Sequence, residues 1–377
     1  MKVVSRFARH GLVAASCLAL VASLAAVGVS GAGAASGSPR SQTLAARAAS
    51  KLAEMPPTKI GITTPLNRTP PRGKTVVFLQ CSDVPPCAQF QPGIRQGTTA
   101  LGWNLKVISF VTSNPSSMTA AFQAALQYKP VAVTFTGMGQ SVWQSEVPIY
   151  RKAGVAIMPM VGGPVRLSPS VPTNIFGPAN ISAAGKILGN WFIGDSNARG
   201  SALFVDVPLF AVLAEYTSGF VKQVAARCTK CAVATLNVPL SEVVSNSVVP
   251  AVVAYVQAHP SVNYVMTSDG AFLTGLHSAL ATIGRSNIKI GVGTPGLADE
   301  QGLINHTEQA ATGQAFRYTG MLFVDAAARY LEHMKILPED GTEPQMLLTA
   351  ANVRAPSNDL LYPRNYQAQF RTLWKVK

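Results

Sequence analysis

With 377 residues, of which 48% are hydrophobic, the chain is too long for one compact core and too apolar to be disordered, so two lobes are expected. The formal net charge is +14; three basic residues near the start account for +3 of it, and the remaining +11 favours anionic partners. The basic residues are scattered, and no basic helix or aromatic RNA-binding motif is present, so nucleic acid is not an expected partner.

The first 35 residues have the composition of an export signal. Lys2, Arg6 and Arg9 precede an uncharged apolar stretch from Gly11 to Val29, and small residues then lead to a cleavage-like site near Ala34. A membrane anchor is the alternative interpretation of this stretch.

Cys17 raises a further alternative, a lipoprotein. A lipidated cysteine should end the apolar region, whereas a long run of apolar or small residues follows Cys17, so lipidation is not expected. The sequence therefore predicts a cleaved signal peptide, residues 1–35, and an exported protein of the cell envelope or a periplasm-like space.

Residues 36–73 are rich in Ser, Ala, Pro and Arg, with Pro56-Pro57 and Thr69-Pro70-Pro71, and they show no sustained periodicity. This composition is typical of a flexible linker. Ordered structure is therefore expected to begin at Lys74.

From Lys74 on, short apolar runs alternate with helical patterns. The predicted strands are Thr75–Leu79, Leu105–Phe110, Val131–Thr136 and Val155–Met160. The predicted helices are Ala88–Leu101, Ser117–Gln127 and Ser141–Ala153. Because the connections are short, this order implies right-handed βαβ units and a parallel sheet. Ligands bind beyond the carboxyl ends of such strands, so the loop from Gln80 to Phe90 is the first candidate site.

After a Gly- and Pro-rich passage, Gly162–Pro178, the same alternation starts again. The predicted helices are Ala183–Phe192, Phe210–Ala226, Val243–Ala258 and Ala271–Ile283. The predicted strands are Ala202–Val207, Ala232–Leu236, Val262–Thr267 and Ile288–Val292. The tail continues with a strand Ala310–Phe316, a helix Tyr318–Met334 and strand character at Met346–Ala350. Two similar α/β lobes in tandem predict a cleft between them.

Four cysteines follow the signal, and they form two local pairs: Cys81 with Cys87, and Cys228 with Cys231. In an oxidising compartment the first pair is expected to form a disulfide that fixes its proline-containing loop. The second pair could be a structural disulfide, a redox pair or half a zinc site. There is no second CxxC, and the histidines outside the signal have no ligand spacing: His259, His277, His306 and His333. A structural disulfide and no metal are therefore expected.

The segment Gly291–Gly296 matches the GxGxxG pattern of dinucleotide-binding turns and follows a predicted strand. Pro295 removes one N–H from the anion cradle, and Glu308, the only acid near the expected ribose position, ends no strand. No cofactor is therefore expected. GxSxG, P-loop and HExxH motifs are absent as well, so no catalytic residues are predicted.

The order of elements from Lys74 to about Ala350 resembles the type I periplasmic binding proteins of ABC importers, in particular the ribose-binding-like branch. The local pieces that carry the resemblance are Ala100–Trp103, Ala184–Lys186 with Gly189, Thr267–Gly270 and Ile290–Gly293. The resemblance implies the α/β class, with two doubly wound, Rossmann-like lobes joined by a hinge.

The lobes implied by the resemblance are residues 74–178 plus about 316–337, and residues 179–315 plus about 345–377. The chain would cross between them near Gly177–Asn180, Gln314–Phe316 and Leu337–Gln345, which would be the hinges.

The sequence departs from the sugar binders of that family at the positions that hold a sugar. Met160-Val161 stands where they usually place an Asp-Arg pair, Ala214 where they place an Arg, and Ser268 where they place an Asn. Those sugar binders commonly have an Asp after the strand that here ends at Gly293, and this chain lacks it. The Gln that they carry corresponds to a position near Ala315. The ligand-binding residues implied at the strand ends are Cys81, Ser82, Asp83, Phe90, Met138, Met160, Phe210, Ser268, Asp269, Thr294 and Phe316.

These candidates are more apolar than a sugar site, so the expected ligand is a small, partly apolar solute with a ring or chain and possibly a carboxylate. The resemblance implies a monomeric, extracytoplasmic substrate-binding protein whose partner is a membrane permease. A sugar binder or ligand sensor of the same fold is one alternative. An exported redox or hydrolytic enzyme built around Cys228 and Cys231 is another.

Overall fold

The computed structural model describes residues 37–208, 211–357 and 359–377. The predicted export signal and Phe210 lie outside these ranges. Within them, no helix has both the length and the apolar composition that a membrane span requires.

The described residues form α/β layers in the predicted order. The helices are α1 (Pro39–Ala53), α2 (Gln91–Leu101), α3 (Pro115–Leu126), α4 (Gln140–Trp143), α5 (Val147–Ala153), α6 (Pro178–Asp195), α7 (Ala211–Arg227), α8 (Leu240–Val244), α9 (Val248–Ala258), α10 (Leu276–Thr282), α11 (Leu297–Ile304), α12 (Phe316–Leu331) and α13 (Tyr366–Leu373). The strands are β1 (Thr75–Cys81), β2 (Asn104–Phe110), β3 (Ala132–Thr134), β4 (Ala156–Ile157), β5 (Ser201–Asp206), β6 (Ala232–Asn237), β7 (Tyr264–Thr267), β8 (Lys289–Gly293), β9 (Ala310–Gly313) and β10 (Met346–Leu348).

The first sheet has the order β2-β1-β3-β4, and all its strands are parallel. Its central strand is β1, in which the four residues Val76–Leu79 are completely buried. A strand covered on both faces must be apolar throughout, which is why this run could be recognised in the sequence.

The second sheet has the order β10-β9-β8-β7-β5-β6. Its strands are parallel except for β10, which pairs antiparallel with β9. The α/β class with two doubly wound lobes is therefore confirmed.

Several predicted helices are interrupted, and the interruptions have local causes. The predicted helix Ser141–Ala153 is divided into α4, a 3₁₀ turn and α5, which starts at Val147 beside Pro148. The predicted helix Ala271–Ile283 begins as a 3₁₀ turn and becomes α-helical only after Gly275, which has a φ of 85°.

The prediction of a flexible linker over residues 36–73 is wrong for most of that stretch. It contains the 15-residue helix α1, which packs against α6. Farther along, Ile60, Ile62 and Leu66 are buried in the core beside β1, and the backbone N–H of Leu66 donates to the carbonyl of Leu373. The segment therefore runs from α6, which belongs with the second sheet, to the core beside the first sheet.

The C-terminal helix also differs from the expectation that residues 345–377 belong with the second sheet. The first part of this range does so, because β10 pairs with β9 and the N–H of Leu360 donates to the carbonyl of Gln314, whereas α13 packs on α2 and α12 beside the first sheet. The indole N–H of Trp374 donates a 2.8 Å hydrogen bond to Asp325 of α12, and the hydroxyl of Tyr366 donates to Gln96 of α2. The chain thus returns to the first lobe after β10.

Candidate ligand-binding cleft

The carboxyl ends of neighbouring strands gather candidate residues along one edge of each sheet. In the first sheet Ser82 follows β1, and Thr136 and Met160 come just after β3 and β4. In the second sheet Ser268, Thr294 and Gln314 follow the adjacent strands β7, β8 and β9. Ligands of parallel α/β sheets bind at such edges.

The loops at the two edges are in contact with each other. Gly163, in the passage after β4, lies so close to the start of α7 that a Cβ on it would be 3.1 Å from the Cβ of Ala211. The side-chain amide of Asn174 donates a 3.0 Å hydrogen bond to the carbonyl of Gly163 and so holds this passage in place. The two edges therefore face one another across a cleft.

Cys81 and Cys87 lie at the first edge, with their Cα atoms 5.8 Å apart and both side chains buried. The hydroxyl of Thr136, after β3, lies 3.3 Å from the sulfur of Cys87 and 3.9 Å from that of Cys81. This cysteine loop is therefore packed against the neighbouring strand end.

Ser82 and Asp83 are turned toward β2 rather than toward the opposite sheet. The hydroxyl of Ser82 donates to the carbonyl of Phe110 at 3.0 Å, and the carboxylate of Asp83 accepts from the backbone N–H and the hydroxyl of Thr112. Burial alone raises the pKa of Asp83, but these hydrogen bonds from Thr112 and one from Ser113 outweigh it and lower the pKa below its usual value. Both residues stabilise the loop after β2.

Three predicted apolar contacts belong to the core. Phe90 and Phe316 are each 3% exposed and stack edge to face, with ring centroids 5.1 Å apart. Met160 is completely buried, and its backbone forms isolated β-bridges with Thr136 and with Ile175. These side chains pack α2 and α12 onto the first sheet, so they offer a ligand little apolar surface.

Met138 and Thr294 are partly buried and remain at the edges. The backbone carbonyl of Met138 accepts a hydrogen bond from the indole N–H of Trp143. Thr294 has a φ of 42°, a left-handed conformation that is unusual for a β-branched residue. Backbone strain of this kind is found more often at functional sites than elsewhere.

Ser268 and Asp269 end β7 in different environments. Ser268 is 1% exposed, and its hydroxyl has no hydrogen-bond partner. Asp269 accepts from the backbone N–H of Ala271 and caps a 3₁₀ turn. Burial, and then the nearby charge of Asp299, raises the pKa of Asp269 to about 6.

Asp299 and Glu308 form a carboxyl pair behind Asp269. Burial, followed by the adjacent Asp299, raises the pKa of Glu308 to about 9, so Glu308 is protonated at neutral pH. Asp299 accepts a 2.6 Å hydrogen bond from the backbone N–H of Gly296 and thereby caps α11. The pair holds the turn after β8 in place.

Ten buried side-chain polar atoms of the described residues have no hydrogen-bond partner, and five of them belong to uncharged residues at strand ends or lobe connections. These five are Oε1 of Gln80, Oδ1 of Asn174, Oγ1 of Thr267, Oγ of Ser268 and Nε2 of Gln314. All five residues stand at the carboxyl end of a strand or in a connection between the lobes. An unpaired polar group in the interior is costly, on the order of 1–3 kcal/mol, so such a group calls for a partner.

Of these five residues, only Ser268 is among the individual site residues predicted from the sequence, and Gln80 begins the first candidate loop. Among the other four, Gln314 has the clearest signal in the sequence. The Gln of the family's sugar binders corresponds to a position near Ala315, which is one residue from Gln314. Gln314 directly follows β9 and is 6% exposed, and its carbonyl accepts from the N–H of Leu360. Gln80 and Asn174 carried no motif.

The remaining sequence motifs have structural explanations. Cys228 and Cys231 have Cα atoms 5.5 Å apart at the end of α7, where Cys228 is buried against the outer helices. Gly293 of the GxGxxG segment lies against the carbonyl of Ser268 and the ring of Tyr216, where any side chain would collide. In the described ranges, no group of three or more His, Cys, Asp and Glu side chains is arranged to hold a metal ion.

Two surface depressions lie away from the strand ends. One, of about 520 Å³, is bordered by Arg95, Gln96 and Arg371 on the outer faces of α2 and α13. The other, of about 450 Å³, lies beside β10 and is bordered by Asn352, Arg354 and Tyr362. We favour the strand ends as the site, because unpaired polar atoms of both lobes lie at them.

No protein-family model matches the sequence, and no curated protein matches it. Solved structures do. An ABC sugar transporter subunit from Rhodobacter sphaeroides is similar with a TM-score of 0.63 and 17% identity, over 74% of this chain and 99% of that chain. The 5-methylthioribose transporter solute-binding protein from Thermotoga lettingae, in complex with 5-methylthioribose, has a TM-score of 0.62 and 15% identity, over 83% and 99%. An ABC transporter solute-binding protein from Burkholderia graminis, in complex with D-arabinose, has a TM-score of 0.64 and 15% identity, over 74% and 96%.

The chain has the type I periplasmic binding protein fold. The match spans nearly the whole of each neighbouring structure, so both lobes of the fold are present.

Proposed function

We propose that the protein is the extracytoplasmic solute-binding component of an ABC importer and that it holds a small, neutral, hydroxyl-rich solute between its lobes. The observation that carries the proposal is the set of five unpaired, buried polar atoms at the strand ends and lobe connections. The fold supports it, because the similar structures include solute-binding proteins of ABC transporters.

The chemistry of the unpaired atoms favours hydroxyl groups as their partners. The amide nitrogen of Gln314 can only donate, the amide oxygens of Gln80 and Asn174 can only accept, and the hydroxyls of Thr267 and Ser268 can do either. A solute hydroxyl both donates and accepts, so one chemical class satisfies all five. None of the five side chains is charged, which favours a neutral solute.

The sequence analysis expected a partly apolar solute because several candidate residues were aromatic or methionine. Phe90, Met160 and Phe316 are packed into the core, so this expectation has lost most of its support. Met138, which is only partly buried, still leaves room for one apolar substituent. The neighbouring structures hold 5-methylthioribose and D-arabinose, which are hydroxylated molecules with and without such a substituent.

The mechanism follows from the placement of these atoms. Gln80 belongs to the first lobe, whereas Thr267 and Ser268 belong to the second, so a bound solute touches both. Because the solute makes both sets of contacts only when the lobes are together, it stabilises the closed state. The closed form is what a membrane permease would recognise, and no catalysis is required.

A thermal-shift panel tests the proposal. Pentoses, hexoses, their methylthio derivatives and polyols are compared with aromatic and aliphatic carboxylic acids, each at millimolar concentration. We expect a hydroxylated compound to raise the melting temperature by several degrees, since binding only the folded state stabilises it. Stabilisation by an acid and by no hydroxylated compound would contradict the proposed solute class.

A further inference from the structure

Helix α1 buries its polar face and exposes its apolar face. The residues it buries against the rest of the protein are Gln42, Thr43 and Ala46. The exposed fractions of Leu44, Leu52 and Met55 are 58%, 69% and 62%. Across residues 37–208, 211–357 and 359–377, these are the three most exposed large apolar side chains.

The exposed residues line up along the helix. Leu44, Ala48 and Leu52 are four positions apart, which places them on one face of α1, and Met55 follows two residues after the helix ends; we call these four residues the α1 stripe. A contiguous exposed apolar face of this kind marks a surface that is covered by something else.

The helix cannot roll to bury the stripe, because polar contacts fix its orientation. The side-chain oxygen of Gln42 accepts a 3.2 Å hydrogen bond from the N–H of Thr229, and Nε of Arg47 donates a 2.9 Å hydrogen bond to the carbonyl of Gly194. At this crossing α6 comes so close that a Cβ on Gly194 would lie 2.9 Å from Cγ of Arg47.

The surroundings of the stripe are basic. Arg40 and Lys51 lie along one side of it, and both are exposed. Residues 37–59 contain four basic side chains and one acidic side chain, which gives a net charge of 4 − 1 = +3. The one acid, Glu54, is largely buried and paired with Lys51 at 3.1 Å.

We propose that the α1 stripe docks the protein onto the surface of an anionic lipid bilayer. Exposed leucine and methionine side chains bordered by basic residues are what an interfacial helix uses to enter the headgroup region. The stripe begins shortly after the predicted end of the export signal near Ala34, where an exported chain leaves the membrane. A second copy is disfavoured as the occupant, because a two-fold contact through α1 would place basic residues opposite basic residues.

Vesicle co-sedimentation of the exported chain tests this proposal. Vesicles of equal parts phosphatidylglycerol and phosphatidylcholine are compared with pure phosphatidylcholine. We expect binding to the anionic vesicles that weakens with salt. Replacing Leu44, Leu52 and Met55 together by Ser should weaken it at least about tenfold, because the apolar area is lost. Arg40→Gln with Lys51→Gln should weaken it about 25-fold, from roughly fivefold per basic residue.

A matched control replaces Ile149, Leu167 and Leu297 by Ser; these are exposed by 46%, 57% and 54% but lie far from α1 in the sequence. This variant should bind vesicles like the parent. All substitutions are on exposed side chains, and unchanged melting temperatures confirm folding. The proposal is overturned if no variant differs from the parent, if neutral vesicles bind equally well, or if light scattering shows a dimer that the triple Ser variant abolishes. Solute binding is independent of this surface and should be unaffected.

Discussion

A side-chain oxygen of Glu343 accepts a 2.6 Å hydrogen bond from the backbone N–H of Ala315. Its second oxygen accepts from the hydroxyl of Thr319, and its backbone carbonyl accepts from the side-chain amide of Asn180 at 3.0 Å. Glu343 itself lies between α12 and β10 and is 1% exposed. One buried residue therefore joins three passages of the chain between the lobes, including the one that carries Gln314.

The protonation of Glu343 should make stability depend on pH. Burial raises the pKa of Glu343 to about 8 from an unfolded value of 4.5. Between these values the folded state holds a proton that the unfolded state has lost, so the free energy of unfolding falls as pH rises. The Glu343→Gln variant, whose amide oxygen can still accept from Ala315, should lose less stability than the parent between about pH 5.5 and pH 8.5.

Urea unfolding at the two pH values measures this difference. Asp269, Asp359 and Glu308 also have raised pKa values and contribute slopes of the same sign, so the comparison between variants isolates Glu343. Glu343→Ala should cost about 2 kcal/mol at pH 5.5, because the N–H of Ala315 loses its acceptor, and less at pH 8.5, where the parent has itself lost stability through Glu343. An identical pH slope in the parent and in Glu343→Gln would show that Glu343 does not titrate in this range.

Arg329 should be important for stability because it is buried with its partner. It is 1% exposed, and its Nε lies 2.6 Å from Oδ2 of Asp325 in the preceding turn of α12. Arg329→Met leaves the buried carboxylate unpaired and should cost about 3–5 kcal/mol. The control is Lys51→Met, which breaks the pair of Lys51 with Glu54, whose side chains are 78% and 18% exposed, and it should cost less than about 1 kcal/mol. Equal losses in denaturant unfolding would refute this account.

The two cysteine pairs should be disulfides with different structural effects. Peptide mapping without reduction should recover Cys81 linked to Cys87 and Cys228 linked to Cys231. Thr229 lies inside the second loop and hydrogen-bonds to Gln42 of α1, so replacing Cys228 and Cys231 by Ser should loosen that helix. Hydrogen exchange within α1 should rise about tenfold, roughly the contribution of one hydrogen bond.

The matched control for this prediction is the other pair. Cys81 and Cys87 lie beside Thr136 at the first sheet, and α1 packs against α6, so replacing these two cysteines by Ser should leave exchange in α1 unchanged. If both double variants affect α1 alike, the effect is global and the local coupling is refuted.

The sheets could be predicted from the sequence, and the amino-terminal helix could not. Buried parallel strands such as Val76–Leu79 are continuous apolar runs, which few other structures require. In α1 two of the three buried side chains, Gln42 and Thr43, are polar, while Leu44 and Leu52 face outward. The apolar periodicity therefore gives no sign of the face that packs.

The candidate site was predicted only in outline. The strand ends were correctly located, but which side chains face the cleft depends on contacts between segments far apart in the sequence. Phe90 and Phe316, for example, find each other only when α2 packs on α12. Whether a hydroxyl or an amide is left unpaired, as for Ser268 and Gln314, depends on every neighbour in three dimensions.

Calorimetric titration of the parent and of Gln314→Met, with the solute that the thermal-shift panel identifies, tests the central claim most directly. The account predicts a single solute per chain and an affinity about tenfold to a hundredfold lower for Gln314→Met, because the buried amide no longer donates to the solute. Gln301→Met, which removes an exposed amide on α11, should bind like the parent. Unchanged affinity in Gln314→Met, or no binding by any hydroxylated solute, would contradict the account.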